Sequence, residues 1–106
     1  MATIKQHDDI FTLINVFTVA PDDQERLSAL LIEATEKTMR HLPGFISASI
    51  HASLDRTRVI NYAQWRSKAD FDAMRANPEA VPHMQAAAAL ATFEPIACKV
   101  VDSIEA

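Results

Sequence analysis

A chain of 106 residues is one domain by size and buries roughly 65% of the surface its unfolded form exposes, enough for one layer of helices on one sheet. Its 14 acidic and 10 basic residues make it mildly acidic with scattered cations, which excludes the clustered positive face of a nucleic-acid binder. Cys98 is the single cysteine, so no intrachain disulfide is possible; residues 1–9 lack a signal-peptide core and no apolar run approaches the ~20 residues of a membrane span, so a cytoplasmic protein without membrane contact is expected.

Residues 1–9 are polar and are expected to be a flexible start. Residues 10–19 are β-branched and aromatic with no helical period, which predicts a strand whose odd face carries Phe11, Leu13, Asn15 and Phe17. Asn15 is the strongly polar member of that face. An unpaired buried amide costs on the order of 1–3 kcal/mol, so a neighbouring strand or a ligand should meet it. Pro21, Asp22 and Asp23 suit a helix opening, and Leu27, Leu30, Leu31 and Ala34 continue an amphipathic helix to about residue 41. Pro43 and Gly44, the chain's only glycine, end it.

Residues 45–53 read as a second strand, with Phe45, Ser47, Ser49 and His51 on one face and Ile46, Ala48, Ile50 and Ala52 on the other. A charged turn at Leu54, Asp55, Arg56 and Thr57 leads to a third strand ending at Trp65. There Val59, Asn61, Ala63 and Trp65 share one face, and Ile60, Tyr62 and Gln64 the other. Ser67 and Asp70 form a capping-box-like start for a short helix that carries Phe71 and Met74 inward. Asn77 and Pro78 start another helix through Val81, Met84 and Ala88, with Pro82 marking either an irregular first turn or a restart. Residues 92–104 read as extended, with Ile96, Cys98 and Val100 against Ala97, Lys99 and Val101.

Strand, helix, strand, strand, helix pair, strand is the split βαβ order of an α+β, ferredoxin-like sandwich in a single domain over residues 1–106. Ile14, Val16, Ile46, Ile50, Ile60, Tyr62 and Val101 then point away from the helices, and so large an apolar face predicts a homodimer with sheets packed face to face. A pocket is expected within each subunit. Asn15, Phe17, His51, Asn61 and Trp65 would line its sheet side, and Leu31, Phe71, Met74, Val81, His83 and Met84 its helix side. An apolar cavity with a few convergent polar groups suits a flat aromatic or lipid-like molecule and is poorly suited to a sugar or phosphate.

Residues 43–53 (Pro-Gly-Phe-Ile-Ser-Ala-Ser-Ile-His-Ala-Ser), residues 59–65 (Val-Ile-Asn-Tyr-Ala-Gln-Trp) and the Ser67 to Phe71 spacing resemble the antibiotic biosynthesis monooxygenase family. Within it the chain is most similar to the small quinone-forming monooxygenases that oxidise aromatic polyketides such as anthrones. The resemblance implies a dimeric α+β barrel that uses dioxygen with no metal, flavin or haem cofactor. It assigns catalysis to Asn61, Trp65 and His51. Two departures stand out: Phe71 takes the place of that subgroup's pocket tyrosine, and His83 and Met84 occupy the region of its last-helix basic residue.

The chemistry is consistent with those residue types. A deprotonated anthrone or hydroquinone is electron-rich, so the protein need only stabilise the anion and hold it beside dioxygen. The Asn61 amide and the Trp65 indole N–H are donors suited to an oxyanion, and His51 is the candidate base. Plainer roles stand beside these: Trp65 as core packing, His51 bonded to Asn15 or backbone, His83 as wall, Tyr62 at the dimer interface and Cys98 as a small core residue. Two other activities share the fold. Haem degradation would call for a helix tryptophan near Met74, and a non-catalytic dimer would bind a small aromatic in the same pocket.

Overall fold

The β-branched run becomes strand β1 (Phe11–Val19) in a computed structural model that describes residues 10–106. The expected flexible start at residues 1–9 lies outside the described residues. After β1, Pro21–Asp23 make one 3-10 turn into helix α1 (Gln24–Lys37), and Met39–His41 make a second turn after Thr38 leaves helical geometry at φ −125° and ψ −65°. Gln24 is buried, and its amide Nε2 donates to the Ser53 and Arg58 carbonyls at 2.9 Å each, tying the helix start to the hairpin of β2 (Phe45–Ala52) and β3 (Arg58–Trp65).

Ser67 caps helix α2 (Lys68–Arg75) as expected: its hydroxyl accepts from the Asp70 backbone N–H and donates to the Asp70 carboxylate. Asn77 accepts from the Glu79 N–H in a separate turn, and helix α3 (Val81–Leu90) begins only after it, with Pro82 in its first turn. The expected helix start at Asn77 and Pro78 is corrected: residues 78–80 make a turn, and the helix first forms at Val81. Strand β4 is Ala91–Cys98, shorter than the expected extended run, so Val100 and Val101 follow the sheet rather than alternate within it.

The sheet order is β2-β3-β1-β4 with antiparallel pairs throughout, the ferredoxin-like arrangement. Gly44 makes the entry to β2 possible. Its φ of +84° is in the left-handed region, and a Cβ there would land on the Asp70 side chain.

Three rungs between β1 and β3 organise the face under the helices: Leu13 opposite Ala63, Asn15 opposite Asn61, and Phe17 opposite Val59. Leu13, Ala63 and Trp65 pack with Phe71 and Met74 in one buried cluster, while Phe17 and Val59 pack with Leu27 and Ala87 in another. The two asparagines stand between them.

Strand β2 departs from the expected alternation. Phe45 lies opposite Trp65 but Ser47 lies opposite Gln64, so Ile46 is an extra residue in a bulge. Beyond it every side chain changes face. Ala48 and Ile50 join Ala63 and Asn61 on the helix side, while Ser49 and His51 join Tyr62 and Ile60 on the outer side. The expectations that His51 faces the pocket and Ile50 faces outward are both corrected by this one inserted residue.

The outer face mixes apolar and polar rows. Ile14, Val16, Ile60 and Tyr62 are half-buried, and Ile46 and Ile96 are exposed. Ser47, Gln64 and Thr12 form a buried row across β2, β3 and β1 whose hydroxyls and amide have no hydrogen-bond partner.

Candidate active site

A cavity opens over the Asn15–Asn61 rung, in the gap between the two core clusters. Its sheet side is Leu13, Asn15 and Phe17 of β1, Asn61, Ala63 and Trp65 of β3, and Ala48 of β2. Leu31, Ala34 and Thr35 of α1, Phe71, Met74 and Arg75 of α2, and His83, Met84 and Ala87 of α3 form the helix side. Met39 and Phe45 close one flank; Phe93 and Pro95 of β4 line the open sheet edge. Most of this surface is apolar, so a bound ring system would be desolvated and any polar contact inside it strengthened.

Trp65 is 2% exposed and held edge-on by two phenyl rings, Phe45 at 5.3 Å and 90° and Phe71 at 6.3 Å and 66°. Packing and site roles are therefore combined in one residue: the ring belongs to the core and still lines the cavity.

The amides of Asn15 and Asn61 both line the cavity, and the Oδ1 of each is buried with no hydrogen-bond partner. Asn is a poor strand former, and two of them facing each other unpaired are costly to the fold alone. The geometry leaves both amides free for a bound molecule.

Only two ionisable side chains line the cavity among the described residues, Arg75 and His83. Arg75 reaches it from the last turn of α2 with its guanidinium carbon 5.8 Å from the Phe71 ring centroid, a cation–π contact. The described ion pairs are Lys37 with Glu33 and Lys68 with Asp72, so no carboxylate among the described residues pairs with Arg75. The His83 Nε2 is 3.0 Å from the hydroxyl of buried Thr38.

Of the residues the sequence singled out, Asn15, Phe17, Leu31, Asn61, Trp65, Phe71, Met74, His83 and Met84 come together around this cavity. His51 and Val81 do not. His51 is exposed on the outer face because of the bulge, and Val81 opens α3 one turn before Met84, outside the cavity wall. Arg75 went unselected although it lies four residues after Phe71, on the same helical face. Phe93 and Pro95 were also missed; their register opposite Phe17 and Asn15 places them on the pocket side of β4. No group of three or more His, Cys, Asp or Glu residues among the described residues could hold a metal ion, and no described helix is long and apolar enough to cross a membrane.

With this geometry the comparisons with known proteins agree. The pattern of the antibiotic biosynthesis monooxygenase family matches residues 10–90. This chain belongs to the antibiotic biosynthesis monooxygenase family. Like its relatives in that family it is a monooxygenase by class. It is 49% identical over 106 residues to tetracenomycin-F1 monooxygenase of Streptomyces glaucescens, covering 100% of this chain and 95% of that one. Among solved structures of the family, it is similar to a Streptomyces coelicolor monooxygenase from the gene ActVA-Orf6 in complex with nanaomycin D, at 30% identity and a TM-score of 0.80 over 91% of each chain. SnoaB of Streptomyces nogalater, described as a cofactor-independent oxygenase, is 27% identical with a TM-score of 0.78, over 91% of this chain and 97% of that one.

Proposed function

We propose that this monooxygenase oxidises an electron-rich polycyclic aromatic of the anthrone or hydroquinone kind to a quinone, using dioxygen without metal or flavin. The observation that carries the reading is the pair of unpartnered amides, Asn15 and Asn61, facing a largely apolar cavity beside Trp65. The relatives support it: one acts on tetracenomycin F1, one holds nanaomycin D, and SnoaB is a cofactor-independent oxygenase.

For an anthrone the balance is complete without a second reductant. The ring methylene loses a proton, the resulting anion gives electrons to dioxygen, and a carbon–oxygen bond forms to leave a peroxide on that carbon. Loss of the second methylene proton then breaks the O–O bond. One oxygen stays as the new carbonyl and the other leaves as water with both hydrogens. The Asn15 and Asn61 amides and the Trp65 indole N–H hold the substrate oxygens as negative charge moves onto them, and permanently cationic Arg75 lowers the energy of that anion. Phe45, Phe71 and Trp65 keep water from the rings.

Mixing purified protein aerobically with 1,8-dihydroxyanthrone tests this directly. Quinone absorbance should rise with one dioxygen consumed per quinone, above the uncatalysed rate. A Soret shift on titration with haem, with no anthrone turnover, would overturn it.

The functional unit of this reading is a homodimer through the outer sheet face. The exposed Ile46 and Ile96 and the half-buried Ile14, Val16, Ile60 and Tyr62 support a second copy there. Sedimentation should give about twice the 11.7 kDa chain mass; a mass near that of one chain would sink the dimer.

A further inference from the structure

We propose that His83, held by Thr38, is the proton acceptor of this site and that Thr38 is its positioning residue. The inference rests on the monooxygenase reading above, which requires a base to remove a substrate proton. The cavity offers few choices. Among the described residues it contains no carboxylate, its ionisable side chains are Arg75 and His83, and a guanidinium cannot take a proton. His51, the imidazole the sequence favoured, is on the other side of the sheet. Among the described residues His83 is the cavity's single side chain with a nitrogen lone pair that can accept a proton.

Its mounting is what a base needs. Thr38 is buried and fixed at both backbone ends: its N–H donates to the Ala34 carbonyl at 3.1 Å and its carbonyl accepts from the His41 N–H at 3.1 Å. Its hydroxyl meets the His83 Nε2 at 3.0 Å across the α1–α3 packing. A hydroxyl can accept as well as donate, so Nε2–H can donate to Thr38 Oγ1 whether the ring is neutral or charged. That tautomer leaves the Nδ1 lone pair free. When Nδ1 takes the methylene proton, the C–H electron pair stays on the substrate carbon, and the Nε2–H bond to Thr38 becomes charge-assisted. After dioxygen has added to that carbon, Nδ1 returns the proton to the peroxide oxygen, and the ring is neutral for the second deprotonation.

The charged groups around α3 leave this cycle to His83. The helix itself carries no other charge. On the packed elements, Glu25, Arg26, Glu33, Glu36 and Lys37 of α1 and Glu94 of β4 are exposed and outside the cavity wall, as are Arg40 and His41 of the turn after α1. Arg75 alone shares the cavity, and its charge favours the anionic substrate that deprotonation makes.

The test is oxygen uptake with 1,8-dihydroxyanthrone across pH 5–9. Wild-type turnover supports the functional reading; its absence overturns that reading and the His83 role with it. Given turnover, His83→Gln should lower kcat/KM on the plateau by about 10²-fold or more and abolish the acid limb of the profile. His83→Gln activity within about threefold of wild type, with the limb unchanged, would overturn the inference while leaving the function standing. Thr38→Val should move the acid limb to lower pH, because the charged ring loses an acceptor, and Thr38→Ser should restore it. A Thr38→Val loss of rate at every pH with the limb unmoved overturns the positioning role. Imidazole nitrogen NMR of the wild-type protein reads the geometry without substrate: neutral His83 should be the Nε2–H tautomer, and the Nδ1–H form would refute the proposal.

Discussion

Asn15 and Asn61 stand directly opposite each other on neighbouring strands, and neither side-chain oxygen has a partner. A fold selected for stability alone would place apolar residues there, as it does on the rungs to either side with Leu13–Ala63 and Phe17–Val59. Stability and activity should therefore respond in opposite directions. Asn15→Val or Asn61→Val removes an orphan amide costing on the order of 1–3 kcal/mol and adds a better strand former, so the melting temperature should hold or rise by several degrees. Turnover should fall by about 10²–10³-fold in Asn61→Val, the loss typical of an oxyanion donor. Calorimetry and oxygen uptake on the same samples check the pair. A drop in both would make the amides structural.

Trp65 is harder to divide because the same ring packs and lines the cavity. Trp65→Phe keeps an aromatic between Phe45 and Phe71 but removes the indole N–H, so kcat should fall by about tenfold or more while the protein still folds. Trp65→Ala should cost about 3–5 kcal/mol, enough to obscure any catalytic reading. Comparing kcat of the phenylalanine variant with its denaturant midpoint separates the roles.

The architecture was legible because residue type, period and punctuation agreed: β1 is β-branched and aromatic with no helical period, Leu27 to Ala34 keep a helical period, and Gly44 and Ser67 mark element ends. The register of β2 was not. A bulge adds one residue with no composition signal of its own, and Phe-Ile-Ser-Ala alternates equally well with or without it. Asn61 and Trp65 lie on a strand without such an insertion and were read onto the cavity face where they stand, whereas His51, beyond the bulge, was read onto the wrong face. Thr38 and His83 are 45 positions apart, so their bond depended on how α1 and α3 pack and no local pattern could report it.

That corrected register carries a prediction. His51→Gln should keep anthrone oxidation within about threefold of wild type at all pH values, since the side chain is exposed on the face opposite the cavity. A collapse in rate without loss of fold would return His51 to the site.

The hairpin turn after β2 carries a pH signature of its own. Asp55 accepts from the Thr57 hydroxyl at 2.7 Å, the Thr57 N–H at 3.0 Å and the Ser53 hydroxyl at 2.8 Å. These bonds, those from Thr57 foremost, hold its carboxyl at about 2 against an ordinary 3.8. A depressed acid favours the fold when ionised, so this contribution is complete above 3.8 and is lost as pH falls through about 2. Asp55→Asn should unfold more readily than wild type at pH 6, with the difference vanishing near pH 2. Carboxyl NMR titration gives the midpoint, and an ordinary value there would contradict the turn geometry.

Arg75 brings a positive charge with no ion-pair partner among the described residues to a largely apolar cavity, stacked on the Phe71 ring. A cation in that position should bind an anionic substrate and should gain from water exclusion by the surrounding rings. Arg75→Gln is therefore expected to raise KM for a carboxylated anthrone by about tenfold and to change KM for its uncharged methyl ester much less. Salt should weaken binding of the acid in the wild type and have little effect in the variant, because the screened charge is gone. Equal losses for acid and ester would mean that Arg75 serves only to cover Phe71, and the cavity would then hold its substrate through the asparagine pair and ring stacking alone.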